Sequence, residues 1–181
     1  MIRGLYIGRF QPYHNGHDFV IKQISDEVDE LVIGIGSAQV SHDVNNPFTA
    51  GERVLMVSRA IKDIGVPVYI IPIVDVKNHS LWIQHVRTMT PPFDIVYSSN
   101  PLVIQLFKDY YPGIKLKSPP LYKRDIFSGI SIRSHIINGD DWSQYVPHEV
   151  SDVITEINGV DRLKRISQSD ECHSNIHSNM I

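Results

Sequence analysis

The sequence predicts an α/β fold: one doubly wound parallel sheet with helices on both faces. Three observations carry this. Short apolar runs alternate with segments of helical periodicity along most of the chain. Leu31 to Ile35 is almost continuously apolar, the mark of a strand buried on both faces. Polar stretches recur directly after the apolar runs, where the strands of a parallel sheet hand over to helices. A length of 181 residues fits one domain around one core.

Each element has its own signal. Leu5-Tyr6-Ile7 is the first strand, and Gly8 to His17 follows it. Phe19, Val20, Ile24 and Val28 then recur at helical spacing from Asp18 to Val28. After the strand Leu31 to Ile35, Thr49 and Glu52 have the spacing of a capping box. The helix they open carries Val54, Leu55, Val57, Ala60, Ile61 and Ile64, and stops near Gly65 and Pro67. Val68 to Val74 is the third strand. Ser80 is the expected cap of a helix through Trp82, Ile83, Val86 and Met89. Ile95-Val96-Tyr97 is the fourth strand. Asn100-Pro101 sets a capping residue before a first-turn proline, and a helix through Leu106 and Phe107 follows. Ile114 to Leu116 is a weaker fifth strand. Ser131 to Asn138 and Val146 to Ile157 read as two C-terminal helices packed on the sheet. Residues 1–166 form the expected domain, and 167–181 a polar, disordered tail. Cys172, His173 and His177 in that tail read as solvated residues, since no fourth ligand accompanies them.

Right-handed crossovers put the C-terminal ends of all strands on one edge, where ligands bind in such sheets. Gly8–His17, Gly36–His42, Asp75–Trp82 and Ser98–Asn100 each follow a strand, so four segments converge on one cleft. Composition narrows its contents. A net charge of −3 argues against a general nucleic-acid coat, so cationic groups must be placed locally. The single cysteine, Cys172, excludes an internal disulfide and a Cys-based zinc site. No apolar run approaches the roughly 20 residues that span a bilayer. The strand begins at once after Met1, which leaves no room for a signal peptide, so the expected compartment is the cytoplasm.

The run Gly8-Arg9-Phe10-Gln11-Pro12-Tyr13-His14-Asn15-Gly16-His17 sets an arginine and two histidines where a strand meets a helix. Free N–H groups and the positive end of the helix dipole favour an anion there. With a helix starting near Asn15, His14 and His17 lie together beside its first turn. Gly16 lets the backbone approach a ligand closely. The dinucleotide fingerprint G-x-G-x-x-G and the G-x-x-x-x-G-K-[ST] loop are both absent. Ser128-Gly129-Ile130-Ser131-Ile132-Arg133 opens another helix with two hydroxyls, backbone donors and a guanidinium, and reads as the other half of a phosphate clamp.

With these residues in place, a resemblance is legible. Gly8 to Pro12 with His14-Asn15-Gly16-His17 resembles the [HT]-x-G-H motif of the nucleotidyltransferase superfamily. Gly36-Ser37-Ala38-Gln39, Asn46-Pro47-Phe48-Thr49-Ala50-Gly51-Glu52-Arg53, Tyr97-Ser98-Ser99-Asn100-Pro101 and the Ser128–Arg133 stretch are similar to the archaeal nicotinamide-nucleotide adenylyltransferases. The likeness runs from about Ile2 to Arg165. It implies a Rossmann-like sheet and the reaction of ATP with nicotinamide mononucleotide (NMN) to give NAD and pyrophosphate. It implies that His14, His17, Arg9 and Arg133 are the catalytic groups, with His17 nearest the α-phosphate and both arginines on the β- and γ-phosphates. Gly8, Phe10, Gly16, Ser128, Gly129 and Ser131 would complete the ATP site. NMN would meet Ser37, Gln39, Trp82, Tyr97 and Asn100, with Trp82 stacked on the nicotinamide ring. Mg²⁺ would be held by the ATP phosphates, with no protein metal site, and the chain would assemble as a homo-oligomer, a hexamer in the family. One departure is Asn45, where the family often has arginine. Two rival readings stay open. One is a sister enzyme with another phosphate acceptor, phosphopantetheine or flavin mononucleotide; the other is a non-catalytic nucleotide sensor.

Overall fold

The computed structural model describes residues 1–120 and 126–178, with side chains as far as 169. Strand and helix alternate through β1 (Arg3–Gly8), α1 (Asn15–Ser25), β2 (Glu30–Ile35), α2 (Ala50–Ala60), β3 (Val68–Pro72), α3 (His79–Met89), β4 (Ile95–Tyr97), α4 (Pro101–Tyr110) and β5 (Lys115–Lys117). Helices α5 (Gly129–Asn138), α6 (His148–Glu156) and α7 (Gly159–Ser178) follow, with a 3-10 turn at Ser143–Tyr145 before α6. The strands form one parallel sheet in the order β3-β2-β1-β4-β5. The chain runs outward from β1 to β3, then crosses back to β4 on the other side of β1. The topological switch point therefore lies between β1 and β4.

Strand alternation divides the core into two layers. Leu31, Ile33 and Ile35 face α1, α2, α5, α6 and α7, and pack with Ile21, Met56, Ile132, Val153 and Leu163. Leu5, Val32 and Val96 face the other way, onto Ile83 and Val86 of α3 and Phe107 of α4. Both faces are thus covered, as the run Leu31 to Ile35 predicts. Among the described residues no helix is long and apolar enough to cross a membrane.

Several element ends differ from expectation for local reasons. Helix α1 starts at Asn15, where His14 caps it, and ends at Ser25, short of Val28. Thr49 and Glu52 form the expected capping box on α2. Helix α3 is capped by Asn78 rather than Ser80: the Asn78 Oδ1 accepts both the backbone N–H and the hydroxyl of Ser80. Strand β3 ends at Pro72, short of Val74. Helix α7 continues past 166, where the sequence reading ends the domain; neither glycine nor proline follows Gly159 to stop it. Its start is anchored by Arg162, which donates two 2.7 Å bonds to the Glu52 carboxylate and a 3.3 Å bond to the Pro47 carbonyl. Cys172, His173 and His177 lie outside the residues whose side chains are described.

Candidate active site

A cavity of about 530 Å³ opens where β1 and β4 end, at the switch point. Its walls come from Tyr6 to Pro12, from His14, Gly16, His17 and Val20, from Ser98 to Pro101, and from Phe127 to Ile130 with Arg133. Three helices begin at it. Their capping residues, His14 for α1, Asn100 for α4 and Ser128 for α5, all line the cavity. Three positive dipole ends and their N–H groups thus surround one space.

The α1 cap is unusual because both its members are histidines. The His14 Nδ1 accepts the His17 backbone N–H at 3.3 Å, and the His17 Nδ1 accepts the His14 N–H at the same distance. The rings stack with centroids 3.6 Å apart, and the Phe10 ring meets His17 edge-on at 4.8 Å. With each Nδ1 used as an acceptor, the neutral ring must carry its proton on Nε2. Burial enforces neutrality: it pulls His14 down to about 4, and drives His17 well below its ordinary value with help from the adjacent His14. The pair therefore offers two neutral Nε2–H donors.

A stability profile follows from these lowered values. The native chain refuses protons that the unfolded histidines accept below pH 6.5. Stability should be full above pH 6.5 and fall as the pH drops from 6.5 toward about 4. Denaturant titrations across that window check it, and a loss beginning only below 4.5, the ordinary glutamate value, would contradict it.

Arg133 is the second notable group, only 5% exposed. Its Nη1 donates to the Gln11 carbonyl at 2.7 Å, while its Nε is buried without a partner among the described residues. Burial and then the nearby Arg9 pull its pKa down to about 10, so it remains charged at neutral pH. A buried cation with an unfilled donor suits an anion. Gly129 makes room for this arrangement: a Cβ there would sit 2.9 Å from the Gln11 carbonyl oxygen and 3.0 Å from the Arg133 Nη1. Gly8 is needed for a similar reason, since a Cβ would lie 2.8 Å from the Phe10 ring. Arg9 is exposed at the cavity wall.

The expected ATP-site residues thus largely meet. Gly8, Arg9, Phe10, His14, Gly16, His17, Ser128, Gly129 and Arg133 share the cavity; Ser131 does not line it, and its backbone N–H goes to the Ser128 hydroxyl instead. The expected NMN residues divide. Asn100 lines the cavity. Ser37, Gln39 and Trp82 stand outside it; Gln39 pairs with Asp75, and Trp82 packs edge-on against Phe107 at 6.0 Å. Tyr97 also stands outside the cavity lining. It is buried in the core, its ring lies over Gly4, and its hydroxyl donates to Glu27 at 2.9 Å. Strand parity turns Ile95 and Tyr97 toward the α1 layer and Val96 the other way. Asn45 is exposed, its N–H bonded to the Asp43 carboxylate.

Two residues without an assigned role in the sequence organise the site. The buried Gln11 side chain donates to the Phe48 carbonyl at 2.9 Å and accepts the Phe48 N–H at 3.0 Å. Arg53 is fully buried and, among the described residues, bonds only backbone carbonyls. Its position could be read from the sequence: it lies three and four residues before Met56 and Val57, on the core-facing stripe of α2.

Comparison with known proteins gives the family and the fold. A family profile described as cytidylyltransferase-like matches residues 5–181. The nicotinamide-nucleotide adenylyltransferase of Methanoculleus marisnigri is 58% identical over 170 residues, covering 94% of this chain and all of that protein. That of Methanocorpusculum labreanum is 56% identical with the same coverage. Among solved structures, a bifunctional NMN adenylyltransferase/ADP ribose pyrophosphatase of Francisella tularensis, complexed with AMP and a manganese ion, superposes with a TM-score of 0.65 at 22% identity. It covers 93% of this chain, which spans 56% of that one. The nicotinic acid mononucleotide adenylyltransferase of Plasmodium falciparum superposes with a TM-score of 0.63 at 14% identity, covering 88% of this chain and 96% of that one. These two likenesses establish the shared fold. The chain belongs to the cytidylyltransferase-like family and, within it, to the archaeal nicotinamide-nucleotide adenylyltransferases.

Proposed function

We propose that the chain transfers the adenylyl group of ATP to NMN, forming NAD and pyrophosphate in NAD biosynthesis. The observation that carries this is the cavity itself: two neutral imidazole donors, the Arg9 and Arg133 guanidinium groups and three helix N-termini face one space. In this reading the triphosphate lies across those N-termini. An oxygen of the NMN 5′-phosphate attacks the α-phosphorus of ATP. The bond from that phosphorus to the bridging oxygen breaks, and pyrophosphate leaves with the electron pair. The acceptor oxygen is already ionised at neutral pH, so no general base is required. His14 and His17 donate Nε2–H to the α-phosphoryl oxygens as charge gathers on them, with His17 nearest. Arg9 and Arg133 hold the β- and γ-phosphates. This is positioning plus fixed electrostatics, the usual economy of phosphoryl transfer.

Among the described residues the cavity walls carry no carboxylate. That donor set fits Mg²⁺ held by phosphate oxygens and water, not by side chains. The ion would supply charge neutralisation on the leaving pyrophosphate. Cytoplasmic location and assembly as a homo-oligomer, a hexamer, belong to the same reading.

The acceptor is the finer part of the proposal. Trp82 would stack on the nicotinamide ring, while Ser37, Gln39 and Asn100 complete that half of the site. Trp82→Ala should raise KM for NMN far more than KM for ATP, measured by steady-state kinetics. Equal rises, or loss of the fold, would leave Trp82 as a packing residue against Phe107. Labelled ATP offered with NMN, nicotinate mononucleotide, flavin mononucleotide or 4′-phosphopantetheine tests the class directly. A pyridine mononucleotide should be the preferred acceptor; preference for flavin mononucleotide or phosphopantetheine would overturn the reading. ATP binding without transfer to any of them would favour the sensor.

A further inference from the structure

Arg53 is the largest fully buried side chain in the described structure. Its Nε donates to the Thr49 carbonyl at 3.2 Å. Its Nη1 donates to the carbonyls of Arg9 and Gly36 at 2.9 and 2.8 Å, and its Nη2 to that of Ser37 at 3.0 Å. Among the described residues every bond goes to backbone, and no carboxylate is bonded to it. A buried guanidinium without an ion-pair partner is costly, so its placement calls for a return elsewhere.

The carbonyls it holds are not random. Phe10 and Ser37 are non-glycine residues in the left-handed region, with φ of 52° and 50°. Such conformations persist only where the surroundings over-determine them. The Arg9 carbonyl belongs to the peptide just before Phe10, and the Gly36 carbonyl to the peptide just before Ser37. Arg53 therefore grips the kink that ends β1 and the kink that ends β2. From the first kink extend Arg9, at the cavity wall, and the Phe10 ring that packs on His17. From the second extend Ser37 and Gln39, which pairs with Asp75 beyond β3.

We infer that Arg53 is a positioning residue that fixes the loop carrying the ATP-binding groups against the loop carrying the NMN-binding groups. This rests on the proposed function and names how its two half-sites are held in register. Each loop keeps its own contacts with its own substrate, so each substrate can still bind when the link is weakened. What the link governs is the in-line approach of one bound phosphate to the other. Misplacement of about 1 Å can cost on the order of 10²-fold in rate. Its loss should appear in kcat rather than in KM.

The test compares wild type with Arg53→Lys and Arg53→Met by NAD formation, with folding followed by thermal melting. Lysine keeps the charge and can hold some of the carbonyls, but cannot span the planar fork that reaches all four. The Lys variant should melt cooperatively, with kcat lowered on the order of 10²-fold and both KM values changed only a few fold. The Met variant should be slower still per folded molecule. A folded Lys variant with near-wild-type kcat would overturn the inference. So would parallel loss of structure and activity in both variants, which would make Arg53 a residue of the fold alone. Absence of NAD synthesis by the wild type would instead bring down the proposed reaction, on which this inference stands.

Discussion

His17→Ala should lower kcat by roughly 10²-fold or more, the scale expected for one preorganised donor to a transition state. The geometry says why the loss falls on kcat. The His17 Nδ1 is used by the helix cap, so its Nε2–H is the donor left for the α-phosphoryl oxygens. Charge on those oxygens grows in the transition state, and an interaction that strengthens there raises kcat rather than ground-state affinity. The same substitution removes half of the reciprocal cap and the stacked partner of His14, which costs about 0.5–2 kcal/mol of stability. Kinetics and melting together separate the two effects. A folded variant with near-wild-type kcat would remove His17 from the chemistry.

Arg133→Met should cost a similar factor, roughly 10²-fold or more in kcat/KM for ATP, with little net change in stability. Two opposing terms explain the second half. Removing a buried cation whose Nε has no partner among the described residues relieves its desolvation. The Gln11 carbonyl, however, loses its 2.7 Å donor, at a cost of about 1–3 kcal/mol. A small shift in Tm with a large loss of activity marks a side chain placed for its ligand. A large fall in Tm with activity per folded molecule intact would assign Arg133 to packing.

Much of the fold is legible in the sequence, for identifiable reasons. Alternating periodicities specified a parallel sheet, and Thr49 with Glu52 and Asn100 with Pro101 marked helix starts by local chemistry alone. Gly8 to His17 and Ser128 to Arg133 could be matched as halves of one site because each combines cations with a helix N-terminus. Long-range relations were harder to read. The amide pair between Gln11 and Phe48 joins segments 37 residues apart and has no periodic trace. The face that Tyr97 takes has no such trace either, because a three-residue strand of wholly buried side chains does not reveal which face each occupies. Arg53 does carry a signal, an arginine in register with buried Met56 and Val57, but helical periodicity does not say which distant carbonyls it meets.

The most direct test is to incubate the purified protein with ATP, Mg²⁺ and NMN and to measure NAD and pyrophosphate together. The account predicts equal amounts of both, formed only when all three components are present. ATP hydrolysis without NAD, or no consumption of ATP at all, would contradict it.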